Sequence, residues 1–200
     1  MSEIRRRGTA AVLDVETTGL SPVTEEVIEL SMVLFSFDPE TGQVFDVLDV
    51  YTGLREPSVP IGSGAYAVHG IGIRDVIGKA LDRERVLAIL DRAEFLIAHN
   101  ARFDKPFVTR LFPEAGRKLW YCSMSKIDWY GKGFASRGLQ HLLGQHKLTA
   151  GRAHRAEADT MATLRLLGHR GHDGPYLKEL LVRCGYGSVE ESAAGLHEEE

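Results

Sequence analysis

Five residues of the types that bind metal ions or transfer protons stand in three short segments of the chain. They are Asp14 and Glu16 in LDVETTGL, Asp104 at the end of HNARFD, and His154 and Asp159 at the two ends of HRAEAD. Four carboxylates with one imidazole are the groups expected where two divalent ions assist the hydrolysis of a phosphodiester. The order and spacing of these residues therefore predict a hydrolytic metal site.

The first two acids lie in a β-prone segment. Asp14 and Glu16 are two residues apart, so on a strand both side chains point to the same face. The flanking residues are apolar, which predicts a central strand, where two carboxylates repel each other unless a cation, a proton or water relieves them. On an edge strand the same pair would be an ordinary solvated one. Gly19, just beyond the strand, permits close approach of the backbone, whose exposed amides can reach phosphate or sugar oxygens.

The other three residues are predicted near helix starts. Asp104 falls in the first turn of a helix after a buried strand, where the helix dipole alone could favour an acid and where His99 and Asn100 could be loop residues or caps. That explanation leaves three polar residues unexplained at the carboxyl end of a strand, which is where open sheets bind ligands. His154 and Asp159 are separated by about 140° around a regular helix. We therefore expect His154 in the loop before a helix and Asp159 in its first turns, although an isolated histidine at a helix start is more often structural.

The elements that must position these residues are strands first and helices later. β-Prone runs at 9–16, 26–37 and 43–52, with a Pro and Gly turn between the last two, predict an antiparallel meander. Residues 53–70, which include two prolines and four glycines, predict a surface loop. The other predicted elements are helices at 82–91, 102–112 (with Pro106 in the first turn), 138–143, 156–168 and 175–184, and strands at 94–98 and 118–123. This order predicts an α/β fold in which a mixed sheet, three meandering strands followed by parallel strands, is flanked by helices.

Length and composition predict one domain. The chain has 200 residues, of which 44% are apolar, enough for a single core. We expect a basic N-terminal segment at 1–8, one domain at 9–187 and an acidic, disordered tail at 188–200. No apolar stretch approaches the roughly 18 residues of a membrane span, and the two cysteines lack the spacing of a disulfide framework. These features predict a cytoplasmic protein with reduced thiols and no membrane contact.

Charge is divided unevenly along the chain. The net charge of −4 is the sum of −9 for residues 8–98, +8 for 99–170, −5 for 171–200 and +2 for 1–7. A basic segment that begins at the second motif is the asymmetry expected if one flank of the site meets phosphates. Basic residues that decorate solvated helix faces would give the same sum.

Taken together, the three segments resemble the DEDD-type 3′→5′ exonucleases whose third motif is His-x4-Asp. This DnaQ-like group contains the proofreading ε subunit of the bacterial replicative DNA polymerase, ribonuclease T and oligoribonuclease. The resemblance covers about residues 9–170 and includes all four acids and the histidine in the required order. It implies a ribonuclease-H-like fold, which agrees with the strand and helix order predicted from the sequence pattern.

The resemblance also implies a role for each motif residue. Asp14, Glu16 and Asp159 would hold one Mg²⁺ or Mn²⁺ ion, and Asp14 and Asp104 would hold a second. His154 would take the proton from the attacking water, and the products would be nucleoside 5′-monophosphates. The residues implied to bind substrate are Thr17, Thr18, Gly19, Leu20, His69, Asn100 and Phe103. For His69, in a segment AVHGI similar to the family's, the alternative is a loop anchored by Val68 and Ile71.

The substrate and the partners are less closely specified. The forms of the first and second motifs are most similar to ε-type domains, so the leading expectation is the 3′ end of single-stranded or frayed DNA, with RNA-end trimming as the alternative. The chain ends about 40 residues after Asp159, which predicts a stand-alone enzyme or a trimmed domain. A DNA polymerase stays a possible partner, and the oligomeric state is open.

Two functions of other classes also fit the sequence. The first is a non-catalytic module that binds nucleic acid or organises a complex, although an unused carboxylate cluster would only cost stability. The second is a different metallohydrolase, in which His99 and His154 would be ligands for zinc or iron.

Overall fold

Three long strands begin the fold in the computed structural model, which describes residues 7–149 and 154–187. They are β1 (Gly8–Thr17), β2 (Val27–Phe37) and β3 (Val44–Leu54). β1 pairs antiparallel with β2, and β2 pairs antiparallel with β3. The predicted meander is therefore confirmed, with strand ends within two residues of those predicted.

Helices and short strands alternate after the meander. In chain order they are α1 (Ser63–His69), α2 (Ile73–Val76), α3 (Arg83–Arg92), β4 (Phe95–Ala98), α4 (Ala101–Leu111), a 3₁₀ turn (Pro113–Arg117), β5 (Leu119–Cys122), α5 (Ser123–Lys126), α6 (Leu139–Gln145), α7 (Ala156–Gly168), β6 (Arg170–Gly171), β7 (Gly174–Pro175) and α8 (Tyr176–Arg183). The short elements α2, α5, β6, β7 and the 3₁₀ turn are too brief to give a clear periodic pattern in the sequence.

The main sheet has five strands in the order β3-β2-β1-β4-β5. β4 runs parallel to β1, and β5 runs parallel to β4. The predicted mixed sheet is confirmed, and β1 is its central strand. Because parallel strands end at the same edge of a sheet, the carboxyl ends of β1, β4 and β5 lie along one edge, where open sheets commonly bind ligands.

Side chains of β1 divide between two apolar cores, one on each face of the sheet. Ala10 and Val12 pack with residues of α7 and α8, whereas Ala11 and Leu13 pack with residues of α3 and α4. Alternation along the strand continues this pattern beyond Leu13. Asp14 and Glu16 therefore follow Val12 onto the face that α7 covers.

The predicted surface loop at 53–70 is wrong over its last third, where α1 forms. The helix ends at Gly70, which has a φ of 70° and whose N–H donates to the Tyr66 carbonyl. Glycines at 62 and 64 lower the helix propensity of this segment, which is why the sequence pattern indicates a loop. Burial of His69 against β1 supplies the tertiary stabilisation that the local sequence lacks.

The prediction for α4 needs one correction. Pro106 lies inside this helix, in its second turn rather than its first. A proline there has no N–H to donate to the carbonyl four residues earlier. Burial of Phe107 and Val108 in the core beneath the sheet fixes the helix in spite of that loss.

The predicted boundaries of the domain stay a prediction. The expected tail at 188–200 lies outside the described residues, as do residues 1–6 of the expected basic segment. Within the described ranges, no helix combines the length and the apolar character that crossing a membrane requires.

Candidate active site

The carboxylates of β1 lie where this central strand ends. Between Glu16 and Thr17 the pairing with β2 shifts register, and such bulges are common beside functional sites because they redirect the strand. The turn that follows is tightly packed, since a Cβ at Gly19 would lie 2.9 Å from the carboxyl carbon of Glu25. A side chain there would displace the Glu25 carboxyl group, which accepts the Thr18 hydroxyl. Leu20 consequently projects into solvent at the tip of the turn, 85% exposed.

Asp104 comes from the opposite core and reaches the same strand end. It lies in the first turn of α4, as predicted, and is 2% exposed. The backbone N–H of Val15 donates to its carboxylate. This hydrogen bond joins α4 to β1 between the two strand acids, so the position of Asp104 depends on the packing of α4 and not on a flexible loop.

His154 and Asp159 are placed as the sequence predicts, before and within the first turns of α7. His154 has a φ of 59°, a left-handed conformation that is uncommon for a residue with a side chain. Its backbone N–H donates to Oδ2 of Asp159 at 2.9 Å. The hydrogen bond couples the two residues, because any movement of the His154 backbone also moves the carboxylate.

All five predicted residues line one cleft of about 500 Å³. Carboxylate oxygens of Asp14, Glu16 and Asp159 all lie within 4.8 Å of one another. Asp104 and His154 are further walls of the same cleft. Residues that are up to 145 positions apart in the sequence are thus brought together by the packing of α4 and α7 on the end of β1.

The pKa values of these acids are raised. Burial, followed by the charges of Asp159, Glu29 and Asp104, raises the pKa of Glu16 to about 8. Burial raises the pKa of Asp104 to about 7, and burial together with the neighbouring carboxylates raises the pKa of Asp14 well above its usual range. Burial also raises the pKa of Asp159, although its hydrogen bond from His154 opposes the change. The protein alone therefore does not stabilise four negative charges here at neutral pH.

The donor set fits a hard divalent cation. Among the described residues, no Lys or Arg forms an ion pair with any of the four acids, and the ligand atoms available in the three-carboxylate cluster are all oxygens. Oxygen ligands favour Mg²⁺ or Mn²⁺ over softer metals. A bound cation would remove the repulsion that raises the pKa values.

A neighbouring acid, Glu29, differs from the four site acids because it has a basic partner, and it lies outside the three sequence motifs. Glu29 pairs with Glu16 across β1 and β2 and is 1% exposed. Arg155 donates to both of its oxygens, at 2.6 to 3.2 Å, and the N–H of Ala156 donates at 2.8 Å. The pair anchors the residue after His154 to β2 and so fixes the entry into α7. The signal in the sequence was a lone acid inside the apolar run VIELSMVLF.

Gln140 is a second contributor that the motif analysis missed. Its side-chain amide donates to Oδ1 of Asp159 at 2.8 Å. With the N–H of His154 on Oδ2, both oxygens of this carboxylate are held in place by the protein. No short-range pattern marks Gln140, because only the docking of α6 against α7 brings it to Asp159.

His99 is not available as a metal ligand, contrary to the zinc or iron alternative. Its ring nitrogens lie 3.0 Å from the Ser123 hydroxyl and 2.8 Å from the Arg137 carbonyl. Burial lowers its pKa to about 4. Both ring nitrogens are engaged, so the neutral ring stabilises the end of β4. His99, one of the polar residues predicted at this strand end, therefore has a structural role.

Most of the residues implied to bind substrate line an adjoining apolar groove of about 600 Å³. The cleft and this groove share Glu16 and Phe103 as walls. The apolar groove is also lined by Thr17, Thr18, Gly19, Leu20 and His69, whereas Asn100 lines the cleft.

Three of these residues use their polar side-chain atoms within the protein. Thr17 donates to the Gly19 carbonyl at 2.6 Å, and Thr18 donates to Glu25 at 2.5 Å. His69 lies 3.2 Å from the Thr17 carbonyl through Nε2 and accepts the Ile71 N–H through Nδ1. The substrate-binding roles of these three residues stay predictions. Their backbone and apolar atoms, and not their polar side-chain atoms, are available to line the groove.

Comparison with known proteins gives one family match. The RNase T family model, described as "Exonuclease", matches residues 11–167, a range that includes all three motifs. The PolC-type DNA polymerase III of Thermotoga petrophila is 32% identical over 123 residues, which are 60% of this chain and 8% of the polymerase. The 3′-5′ exonuclease DinG of Bacillus subtilis is 30% identical over 162 residues, 76% of this chain and 16% of DinG. The chain thus spans less than a fifth of the length of either relative.

Solved structures share the fold. The zinc-bound complex of E. coli exonuclease I with single-stranded DNA has a TM-score of 0.70 at 18% identity, over 88% of this chain and 43% of that chain. At that identity the likeness concerns the arrangement of strands and helices. The mixed sheet and its flanking helices are therefore those of an exonuclease fold.

Proposed function

The chain belongs to the RNase T exonuclease family, and from this membership we propose that it is a metal-dependent 3′→5′ exonuclease acting on single-stranded or frayed DNA. Nucleoside 5′-monophosphates would be the products. The main support is the cluster of Asp14, Glu16 and Asp159, whose oxygens lie within 4.8 Å of one another in a cleft that also contains Asp104 and His154. The family's two-ion chemistry requires these groups together.

Two divalent cations, Mg²⁺ or Mn²⁺, fit the residues present. Asp14, Glu16 and Asp159 would hold one, and Asp14 with Asp104 would hold the other. Such ions supply charge for the developing oxyanions and make water a stronger nucleophile at neutral pH. The raised pKa values of Glu16 and Asp104 support this assignment, because burying several acids without a partner is costly unless a cation is bound.

His154 is the proposed general base. It lines the cleft and belongs to no buried hydrogen-bonded network among the described residues, unlike His69 and His99. Its backbone contact with Asp159 places the imidazole beside the carboxylate cluster. A proton taken from the attacking water could pass from this partly open position to solvent.

The apolar groove is the proposed site of the 3′-terminal nucleotide. Phe103 and Val68 offer apolar surface to a base, and Leu20 projects at the rim. The backbone of the packed turn at 17–20 directly follows Glu16 in the same groove, and its amides would contact sugar or phosphate oxygens. DNA is preferred over RNA as the substrate because the polymerase and DinG relatives support it, and association with a DNA polymerase is proposed on the same grounds.

Digestion of matched 5′-labelled oligonucleotides tests this proposal. DNA and RNA strands, single-stranded and as mispaired duplexes, are incubated with Mg²⁺, with Mn²⁺ and with EDTA. We expect stepwise shortening from the 3′ end, fastest on single-stranded DNA and abolished by EDTA. Faster digestion of RNA than of DNA would favour the alternative function, trimming of RNA ends. Complete inactivity with Mn²⁺ would favour the non-catalytic module.

His154→Ala tests the assignment of the base. We expect a rate about 10²- to 10⁴-fold lower, with little change in strand binding, because only proton transfer is lost. His172→Ala is the matched control, since that side chain is 97% exposed and lies outside the cleft. A near-normal rate in His154→Ala would exclude His154 as the base.

A further inference from the structure

A second groove opens beside the catalytic cleft. It has a volume of about 160 Å³ and is lined by residues 124–130 together with Arg137 and Arg183. We call it the basic groove. Two backbone connections join it to the cleft: Arg137 is followed by Gly138, a wall of the cleft, and the N–H of Met124 donates to the His99 carbonyl at 3.0 Å. The basic groove therefore adjoins the cleft on a different side from the apolar groove.

The basic groove has unpaired positive charge. Among the described residues, neither Lys126 nor Arg137 has an acidic partner. Glu179 is already paired with Lys132 at 2.7 Å and with Arg183 at 3.2 Å, whereas Asp128 lines the same groove and offsets part of its positive charge. Lys126 and Arg137, which form no ion pair among the described residues, are suited to phosphates.

An aromatic ring stands at the same groove. Tyr130 is 60% exposed, although its neighbour Trp129 is 1% exposed and donates from its indole N–H to the Ser123 carbonyl at 2.9 Å. The turn is closed by the N–H of Gly133, which donates to the Tyr130 carbonyl at 2.9 Å. A rigid turn thus presents an open ring face, which is what stacking with a nucleic-acid base requires.

We propose that the basic groove binds the DNA strand upstream of the scissile bond, with a base stacked on Tyr130 and backbone phosphates beside Lys126 and Arg137. This inference rests on the proposed function. If the 3′ nucleotide occupies the apolar groove, the upstream strand must exit the cleft on another side, where the basic groove lies. Strands of several nucleotides would follow this path.

Binding of strands of different length tests the inference. Fluorescence anisotropy of the full chain is measured with hydrolysis-resistant phosphorothioate DNA of two and of twelve nucleotides. We expect Tyr130→Ala to weaken binding of the twelve-nucleotide strand at least about fivefold, the equivalent of ~1 kcal/mol for one stacked base. The double variant Lys126→Gln, Arg137→Gln should reduce the slope of log Kd against log salt by about 1.4, since each contact with a single-strand phosphate contributes about 0.7.

Arg117→Gln is the matched control. Arg117 is exposed and precedes the amino end of β5, at the sheet edge opposite the cleft, so its removal should change neither affinity nor salt slope. In the proposed path a two-nucleotide strand occupies the apolar groove and the cleft, so the effect of every groove variant should grow with strand length. Equal losses for both lengths, or no loss for the longer strand, would overturn the inference.

Hydrolysis separates this inference from the proposed function. If wild-type protein binds the long strand in a Tyr130-dependent way but releases no nucleotide with Mg²⁺ or Mn²⁺, the proposed function fails and the binding path stands. If wild-type protein degrades the strand while the groove variants bind like wild type, the path fails and the function stands.

Discussion

Two sets of acids, one fully buried and one half-buried, lie on neighbouring strands and are stabilised in different ways. Glu29 on β2 is held by Arg155 and by the N–H of Ala156, so its charge is compensated within the protein. Asp14 and Glu16 on β1 have no basic partner among the described residues, and their pKa values are raised. Glu16 and Glu29 are direct partners in the β1–β2 register. The architectural acid is therefore the one that has a protein counter-charge.

The difference has a functional reason. A compensated acid fixes structure because breaking the pair leaves a buried charge. An uncompensated cluster keeps its lone pairs for an external cation and loses stability in the absence of one. In this protein the compensated acid anchors the entry into α7, and that helix holds Asp159 in the uncompensated cluster.

Removing one uncompensated acid should have the largest effect. Asp14→Asn is expected to lower the rate of nucleotide release about a thousandfold or more, since a metal contribution of several kcal/mol is lost. The same change should raise the melting temperature of metal-free protein because it relieves repulsion. Release assays and calorimetry in EDTA measure the two effects.

Asp91→Asn is the matched control, an exposed carboxylate on α3 that is converted in the same way. It should leave both the rate and the melting temperature close to wild type. A wild-type rate in Asp14→Asn would remove Asp14 from the metal site.

Removing the basic partner of the compensated acid should instead lower the free energy of unfolding. Arg155→Ala leaves buried Glu29 with the Ala156 N–H but without its counter-charge, and is expected to lower the free energy of unfolding by about 3–5 kcal/mol. Arg92→Ala, in an exposed pair with Asp49, should cost less than about 1 kcal/mol. Urea denaturation compares the two variants.

A second variant sharpens the comparison of buried and exposed pairs. Adding Glu29→Gln to Arg155→Ala should recover part of the lost stability, because no buried charge then lacks a partner. Equal losses in Arg155→Ala and Arg92→Ala would mean that Glu29 is not stabilised by this pair.

Metal and pH should act together on the uncompensated cluster. A carboxyl group whose pKa is higher in the folded than in the unfolded protein favours the folded state at low pH, and this contribution is lost as pH rises through the folded pKa. With the pKa of Glu16 at about 8 and that of Asp104 at about 7, both above their unfolded values of about 4, metal-free protein should lose stability as pH rises from about 4.5 to about 8 and should lose little more above that. Below about pH 6.5 His99 acts in the opposite direction, because burial lowers its pKa to about 4, so the carboxyl contribution is best measured between about pH 6.5 and 8.

Mg²⁺ or Mn²⁺ should reverse that loss. At one hundred times its dissociation constant a ligand stabilises by about 2.7 kcal/mol, which corresponds to a rise in melting temperature of about 5–10 °C for a domain of this size. The rise should be larger at pH 8.5 than at pH 6.5, where protons compete, and smaller in Glu16→Gln. A pH-independent metal effect would contradict the raised pKa values.

The smallest effect is expected from the residue that orients Asp159. Gln140→Ala removes one hydrogen bond to this carboxylate, and loss of such an outer contact commonly weakens metal binding about tenfold or more. Titration of activity with Mn²⁺ should show a higher half-saturating concentration, with most of the rate restored at saturation. Gln145→Ala, at the exposed end of the same helix, should titrate like wild type.

The candidate site was predictable where chemistry follows local spacing. Period-two alternation placed Asp14 and Glu16 on one face, and the five-residue spacing separated His154 from Asp159. Which histidine has ring nitrogens free for catalysis was not predictable. His69 and His99 lie in motif segments like His154, but long-range contacts with Thr17 and Arg137 engage their nitrogens.

The sequence by itself predicted the order of strands and helices along the chain, the meander within a mixed sheet and the set of acids, because hydrophobic periodicity, turn residues and residue type are local properties. The tertiary structure decided which acids are compensated. Arg155 reaches Glu29 across 126 positions, and Gln140 reaches Asp159 only when α6 docks on α7. Counter-charge depends on which elements become neighbours, and that is set by packing on the sheet and not by any spacing along the chain.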